Sequence, residues 1–328
     1  MDKVLVTGAY GFLGRHVVQE LVDAGYSVRA FGRDAAQLAQ LESSSVEIAV
    51  GDLLDPAFLA RACDGVDVVI HCAALLKSWG RREDFFAVNV DGTRNVLSAC
   101  ANAHVKRLVH VSSPSVHPLV SNMHIREEDY NPNNRVSFYV ESKIAAEQLV
   151  RGQRDVPYAI IRPRGICGVG DKNMLPALMR VNDSIGVPLF EHGQVVVDLC
   201  CVQNVAHACR LCLERDEALG QAYDISNGEP RKLVDLVESA FPKLGLTPRY
   251  IRLPFRPVYA VASALEGFHR LFRIYDRAPA VTRHDLCTIG HSQVFDIGKA
   301  QRELGYAPVV TLDEMIEQYA AAYRAGQL

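Results

Sequence analysis

Tyr139 and Lys143 stand four residues apart in Ser137-Phe138-Tyr139-Val140-Glu141-Ser142-Lys143. On a helix that spacing puts both on one face. A tyrosine alone, with a pKa of ~10, is a poor acid or base at neutral pH. A neighbouring ammonium stabilises the phenolate and draws that pKa down. Taken alone, Y-x-x-x-K also describes an ordinary surface pair. Upstream, His110-Val111-Ser112-Ser113-Pro114-Ser115-Val116 places three serines where an apolar run ends. A serine hydroxyl there can orient a carbonyl or an alkoxide. The alternative is a polar turn before Pro114.

A second set of residues suits a phosphate. Thr7-Gly8-Ala9-Tyr10-Gly11-Phe12-Leu13-Gly14 lies between a short β-branched run, Lys3–Thr7, and a stretch of helical spacing. Glycine supplies the turn and lets the backbone approach a pyrophosphate, while the helix N-terminus favours the anion. The spacing is G-x-x-G-x-x-G rather than G-x-G-x-x-G, but its place between strand and helix marks a nucleotide-binding loop. Gly8, Tyr10, Gly11, Phe12, Leu13 and Gly14 are the candidate contacts.

A carboxylate for a ribose 2′-hydroxyl is expected at the end of the second strand. That region reads Val28-Arg29-Ala30-Phe31-Gly32-Arg33-Asp34. Gly32 takes the acid's place and Arg33 follows. Arg33 suits a 2′-phosphate, so NADP is expected, with NAD as the alternative. In the competing reading Arg33 is solvated and Asp34 caps the next helix. Asp52, with Leu53 after it, could accept from an adenine amino group or cap a helix. His71-Cys72-Ala73-Ala74 ends a strand in small residues, and Cys72, Ala73 and Ala74 leave room for an adenosine.

The elements that must position these residues alternate. Strands are predicted at Lys3–Thr7, Ser27–Phe31, Val46–Val50, Asp67–Cys72, Arg107–Ser112 and Tyr158–Arg162. Helices are predicted at Phe12–Ala24, closed by Gly25, at Asp84–Ala103 and at Val136–Val150. Such alternation forces parallel pairing through right-handed crossovers. It predicts an α/β, doubly wound parallel sheet of Rossmann type, with order 3-2-1-4-5-6. After Pro163 the regularity fails. A helix at Val202–Glu214 and a strand at Ala222–Ile225 are expected to rejoin the sheet. The expected division is a dinucleotide-binding domain, 1–163 with 198–226, and a smaller irregular α/β substrate lobe, 164–197 with 227–328.

Composition fits two domains: 328 residues, 49% hydrophobic and 22% charged, at roughly 100–200 residues per domain. A formal charge of −3 with no basic block argues against nucleic acid. No apolar run reaches the ~18–20 residues of a bilayer span, and the N-terminus breaks at once into glycines. A cytoplasmic protein is expected. The nine cysteines are scattered and read as buried thiols rather than disulfides. Cys209 and Cys212 share a helical apolar run with no second pair at metal spacing, so no metal site is expected.

Together these residues resemble the extended short-chain dehydrogenase/reductase superfamily over nearly the whole chain. The likeness rests on T-G-x-x-G-x-x-G at Thr7–Gly14, G-D-L at Gly51–Leu53, H-C-A-A at His71–Ala74 and N-V-x-G-T at Asn89–Thr93. S-S-P-S at Ser112–Ser115, Tyr139-Val-Glu-Ser-Lys143 and Arg162-Pro163 complete it. Ser137 departs from relatives that often carry asparagine there. The resemblance implies that Ser113 is the catalytic serine, with Ser112 and Ser115 as competitors, and that Tyr139 is the acid–base. Lys143 would tune Tyr139 and, with Tyr139 and Pro163, contact the cofactor. A homodimer through the helices Asp84–Ala103 and Val136–Val150 is implied as well. Arg162–Asp171, Val197–Ala206, Ser226–Pro230 and Ser292–Asp296 are similar to the 3β-hydroxysteroid dehydrogenase and 2-alkyl-3-oxoalkanoate reductase group.

Arg252–Tyr275 alternates apolar residues at helical spacing with basic ones. Three readings stand: core packing, the wall of an apolar substrate pocket, or a helix on a membrane surface. The expected function is interconversion of a ketone and a secondary alcohol on a small apolar-to-amphipathic substrate, 3-oxo steroid-like or 3-oxoacyl-like. A sugar-nucleotide epimerase or dehydratase with retained cofactor is the alternative, left open by Arg162, Arg164 and Arg180. A non-catalytic NADP-sensing protein is a further alternative, against which the intact Tyr–Lys pair weighs.

Overall fold

A computed structural model describes residues 2–327. The strands of the first half are β1 Lys3–Thr7, β2 Ser27–Gly32, β3 Val46–Val50, β4 Val68–His71, β5 Arg107–Val111, β6 Asn122–Ile125 and β7 Tyr158–Pro163. The central sheet runs Ala222–Ile225, β7, β5, β4, β1, β2, β3, and every pair in it is parallel. The expected order 3-2-1-4-5-6 is therefore present, with the strand Ala222–Ile225 added beyond the sixth. The winding reverses between β1 and β4, where Thr7 lies opposite His71. Loops leaving those two strands diverge there and open a crevice at the carboxyl edge.

Helices α1 Phe12–Asp23, α2 Ala35–Ala39, α3 Pro56–Cys63, α4 Arg82–Phe86, α5 Gly92–Asn102 and α6 Phe138–Gly152 connect the strands. Alternate residues of β1 face opposite ways. Val4 and Val6 join Val17, Leu21, Val205 and Cys209 in one core. Leu5 joins Val69, Val96, Leu108 and Val150 in the other. Burial on both faces is why these strands read as continuous apolar runs.

The sequence predicts one helix over Asp84–Ala103, and the structure corrects this. α4 passes through a π-turn, Ala87–Asp91, into α5. The wider turn seats Asn89, whose amide accepts from Leu75 N at 2.7 Å and donates to Leu75 O at 3.2 Å. α6 starts later than expected because Ser137 caps it, accepting from Val140 N at 3.3 Å.

The second half adds α7 Met174–Ser184, α8 Val202–Glu214, α9 Leu233–Ala240, α10 Phe255–Leu271, α11 Arg283–Gly290, α12 Gly298–Leu304 and α13 Leu312–Arg324. α8 packs beneath the central sheet, with Cys209 and Cys212 buried in its core. A separate core gathers Phe190, Leu236, Phe241, Ala262, Leu286, Met315 and Tyr319. β6 joins Gln293–Phe295, Val196–Val197 and Arg231–Lys232 in a small second sheet.

α10 holds to this lobe by a narrow stripe. Only Ala262 and Glu266 are fully buried, while Val261, Phe268, Leu271 and Phe272 are exposed. Core packing thus fails as an account of its outer row. All nine cysteines are free. Among the described residues no helix is long and apolar enough to cross a membrane, and no group of three metal-ligating side chains forms.

Candidate active site

The glycine loop closes tightly. Gly8 has φ +68, and a Cβ there would lie 2.8 Å from Ala73 Cα. A Cβ on Gly14 would fall 2.1 Å from Gly8 O. α1 starts at Gly11 with no side-chain cap, so its first amides are free for an anion. A loop with no room for side chains, opening on an uncapped helix, fits the pyrophosphate of a dinucleotide. Tyr10, Phe12 and Leu13 project from it, Phe12 toward Gly170 and Leu13 onto the sheet core. Ala73 N donates to Thr7 Oγ1 at 3.3 Å, which fixes the second wall of the crevice. Cys72 and the exposed Ala74 flank it.

At the adenosine end, the Tyr10 ring covers Gly32: a Cβ there would meet Tyr10 at 2.5 Å. An acid cannot occupy that position without moving the ring. Asp34 caps α2 through Gln37 N, while Arg33 stays 67% exposed and 3.9 Å from Asp52. The exposed Arg33 and the capping Asp34 are those of the competing reading, and neither distinguishes NADP from NAD. Asp52 is not a helix cap. It accepts from Leu54 N in a local turn, and Asp55 caps α3 through Phe58 N. The sequence carried that signal in Asp55-Pro56, a cap followed by proline at the first helical position. Leu53 is buried, and its carbonyl accepts from Asn95.

At the other end, α6 brings Tyr139 and Lys143 beneath the carboxyl end of β5, both nearly fully buried. Burial raises the Tyr139 phenol above its ordinary value, and hydrogen bonding to Ser113 opposes the shift. The Lys143 ammonium donates to Val111 O at 2.7 Å. Burial lowers Lys143 itself to about 8, against the pull of Glu147 and Cys72. The three serines separate clearly. Ser112 is committed to Glu147 Oε2 at 2.6 Å. Ser113 neighbours Tyr139 and accepts from Ser115 N at 3.2 Å. Pro163 ends β7, buried beside Ile225.

Glu147 and His284 carried no sequence signal, and Asn89, Ser142 and Arg162 stood in the quoted motifs without the roles seen here. Asn89 donates to Ser142 at 2.9 Å, and Ser142 to Tyr139 O at 2.8 Å, which ties the π-turn to the first turn of α6. Glu147 on α6 pairs with Arg162 on β7 at 2.5 Å, both wholly buried. Arg162 also faces Asp224, to which His117 is bonded at 2.9 Å. This network fixes α6 to the sheet edge. The ring of His284, from α11, stands edge-on to Tyr139 at 5.8 Å. A small surface crevice lies beside Ser137 and Phe138, lined by Trp79, Phe85, Glu266 and Arg270. α10 therefore lines, through Glu266 and Arg270, a crevice at the start of α6.

A parallel sheet of this order, with a tight glycine loop at its reversal point and a buried tyrosine beside a serine at its carboxyl edge, defines a dinucleotide-dependent oxidoreductase. The family is narrower than that. Residues 4–226 match the NAD dependent epimerase/dehydratase family, and the chain belongs to it. It is 33% identical to a 2-alkyl-3-oxoalkanoate reductase of Stenotrophomonas maltophilia, covering 98% of this chain and 100% of that one. It is 31% identical to a 3 beta-hydroxysteroid dehydrogenase/Delta 5-->4-isomerase of Mycobacterium tuberculosis, over 98% of this chain and 90% of that one. The solved structure of gox2253 shares the fold at a TM-score of 0.80 and 30% identity, with both chains fully covered. The protein is an NAD(P)-dependent reductase/dehydrogenase of the extended short-chain type, interconverting a ketone and a secondary alcohol.

Proposed function

We propose that the chain interconverts a 3-oxo and a 3-hydroxy group on a largely apolar substrate, steroid-like or 3-oxoacyl-like, with NADP(H) preferred over NAD(H). The observation that carries this reading is the burial of Tyr139 against Ser113; Trp79, Phe85 and Phe138 line a small crevice at the start of the same helix. The bound dinucleotide supplies or takes the hydride. Tyr139 donates its phenolic proton to the carbonyl oxygen during reduction. Ser113 hydrogen-bonds the oxygen as charge develops on it. Lys143, buried beneath, offsets the phenolate that remains.

Arg33 supports the phosphorylated cofactor, being an exposed cation just past the end of β2, where Gly32 takes the place of an acid. The sugar-nucleotide alternative needs cations for a diphosphate. Of the three arginines that kept it open, Arg162 is locked to Glu147 and Arg180 is exposed on α7. Only Arg164 remains. The test is Tyr139→Phe, assayed by NADPH absorbance with 3-oxo steroids, 3-oxoacyl compounds and sugar nucleotides. Turnover of a ketone class should fall at least a thousandfold, about the upper part of the general-acid range, with NADPH binding unchanged. Undiminished turnover in the variant refutes the assignment.

A further inference from the structure

Between Pro257 and Phe272, every exposed residue of α10 and its closing residue lacks a polar side chain. Ala260, Val261, Ala264, Phe268, Leu271 and Phe272 recur at three- and four-residue spacing, which sets them on one side of the helix. Leu271 is 77% and Phe272 60% exposed, and Val261 and Phe268 are each more than half exposed. The Phe268 and Phe272 rings meet at 4.6 Å. A surface helix ordinarily turns its polar side outward, and here the outward side is apolar. Scattered apolar side chains on a surface are ordinary, but a continuous patch marks an interaction surface.

The polar contacts of α10 lie elsewhere. Glu266 is buried and pairs with Arg283, and Arg270 sits over the Phe138 ring at 4.9 Å. These two residues are what α10 gives to the crevice at the start of α6, so the outer row does not line it. Trp79, in the loop after β4, fixes the end of the helix. Its indole donates to Ile274 O at 2.9 Å and stacks on Tyr275 at 6.2 Å. That loop also carries the exposed Leu76, Lys77 and Arg81.

Cations frame the patch. Arg256 is exposed at the start of α10, and Arg273 and Arg277 are exposed just past its end. The acids within 252–277 are Glu266, which is buried, and Asp276. The chain as a whole has a formal charge of −3, so its charge is unevenly spread. A second copy of this face is a poor partner. Two such helices, parallel or antiparallel, would set arginine against arginine, and like charges across an interface are costly. An apolar row framed by arginine and lysine is complementary to a bilayer with anionic headgroups. The row enters the acyl boundary, and the cations reach the phosphates on their apolar stems.

We propose that the outer face of α10, with the loop after β4, seats the protein on the surface of an anionic phospholipid bilayer, lying on it without crossing it. This holds whichever ketone the site takes.

The test is co-sedimentation of the intact protein with sucrose-loaded vesicles, either of equal parts phosphatidylglycerol and phosphatidylcholine or of phosphatidylcholine alone. Binding should be at least about tenfold tighter to the anionic vesicles and should weaken as salt rises. Leu271→Glu/Phe272→Glu should lower it at least about tenfold, and Arg273→Glu/Arg277→Glu should lower it likewise with a shallower salt dependence. All four side chains are exposed, so the far-UV spectrum should be retained. Should these variants not fold, Phe268→Trp decides, adding an indole to Trp79, the one tryptophan of the chain. Its emission should shift to the blue on anionic vesicles and be quenched by brominated acyl chains beyond the quenching of the intact protein; no added shift or quenching overturns the proposal. Absence of binding to anionic vesicles overturns it, as does equal binding to both compositions, or binding that survives both pairs of substitutions. So does a mass in lipid-free solution that is dimeric for the intact protein and monomeric for Leu271→Glu/Phe272→Glu, because the row then belongs to a second copy.

Discussion

The ammonium of Lys143 donates to Val111 O at 2.7 Å, one helical turn from the Tyr139 phenol it was expected to pair with. Burial acts on the two groups in ways that set the pH profile. It raises Tyr139, so the phenol keeps its proton through the neutral range. It lowers Lys143 to about 8, so the lysine is the first of the two to lose a proton. Deprotonation removes the positive charge that offsets the phenolate after proton donation. Reduction is therefore expected to decline above about pH 8 with one ionisation, while the acid side stays level. The measurement is kcat/KM for ketone reduction from about pH 6 to about pH 10. In Lys143→Arg, a cation that does not titrate there, any residual activity should lose this limb. A profile flat to the alkaline end contradicts the assignment of Lys143.

Arg33 sets a second expectation. Gly32 lies under the Tyr10 ring, and the proposed reader of a 2′-phosphate is Arg33, which is exposed and only loosely paired with Asp52. A charge-assisted hydrogen bond is worth about 1.5–3 kcal/mol, or about ten- to a hundredfold. Arg33→Ser should lower kcat/KM with NADPH by about that factor and leave NADH within about twofold. Equal loss with both cofactors, or none with either, counts against the preference.

The loop offers a sharper steric test. In Gly14→Ala the new methyl meets Gly8 O at 2.1 Å, and neither backbone can yield without opening the turn. NADPH affinity, read by nicotinamide fluorescence, should weaken by at least about tenfold, equal to ~1.4 kcal/mol. The far-UV spectrum should be retained, because the change falls on one turn of α1. Affinity within a factor of two would show that the loop holds no pyrophosphate.

What could be read from the sequence is what local spacing encodes. The strand–helix alternation, the glycine loop and the Tyr139–Lys143 interval each lie within a few residues, and the periodicity that forms an element also places its side chains. The π-turn at Ala87–Asp91 was not legible, since one added residue leaves the apolar spacing on either side helical. His284 was not legible as a site residue either, and Arg164 only as one of three arginines suited to a diphosphate. Each gains its meaning from a partner that is distant along the chain: Tyr139 for His284, Thr288 for Arg164. The orientation of Lys143 depends on a main-chain carbonyl of β5, which no side-chain motif records.

Glu147 is such a distant partner too, and it carries the last expectation. Its carboxylate, fully buried, accepts from Arg162 at 2.5 and 3.2 Å, from Ser112 at 2.6 Å and from Arg151 at 2.9 Å. Burial alone would push this acid up, but the hydrogen bonds and charge of Arg162 outweigh it and hold it below its ordinary value. In Glu147→Gln, Arg162 loses its paired carboxylate and is left in the interior with Asp224 at 3.8 Å and the Glu127 carbonyl at 3.3 Å. Breaking a buried pair from one side costs about 3–5 kcal/mol. Urea unfolding should show a loss of that size at neutral pH. Because the folded pKa is depressed, the stabilisation from Glu147 is complete above the unfolded value, about 4.3. It is lost as pH falls through the lower folded value. The gap between the intact protein and Glu147→Gln should therefore be constant near neutrality and narrow below about pH 4.3. A gap that widens on acidification would show that Arg162, Asp224 and His117 hold this edge of the sheet without Glu147.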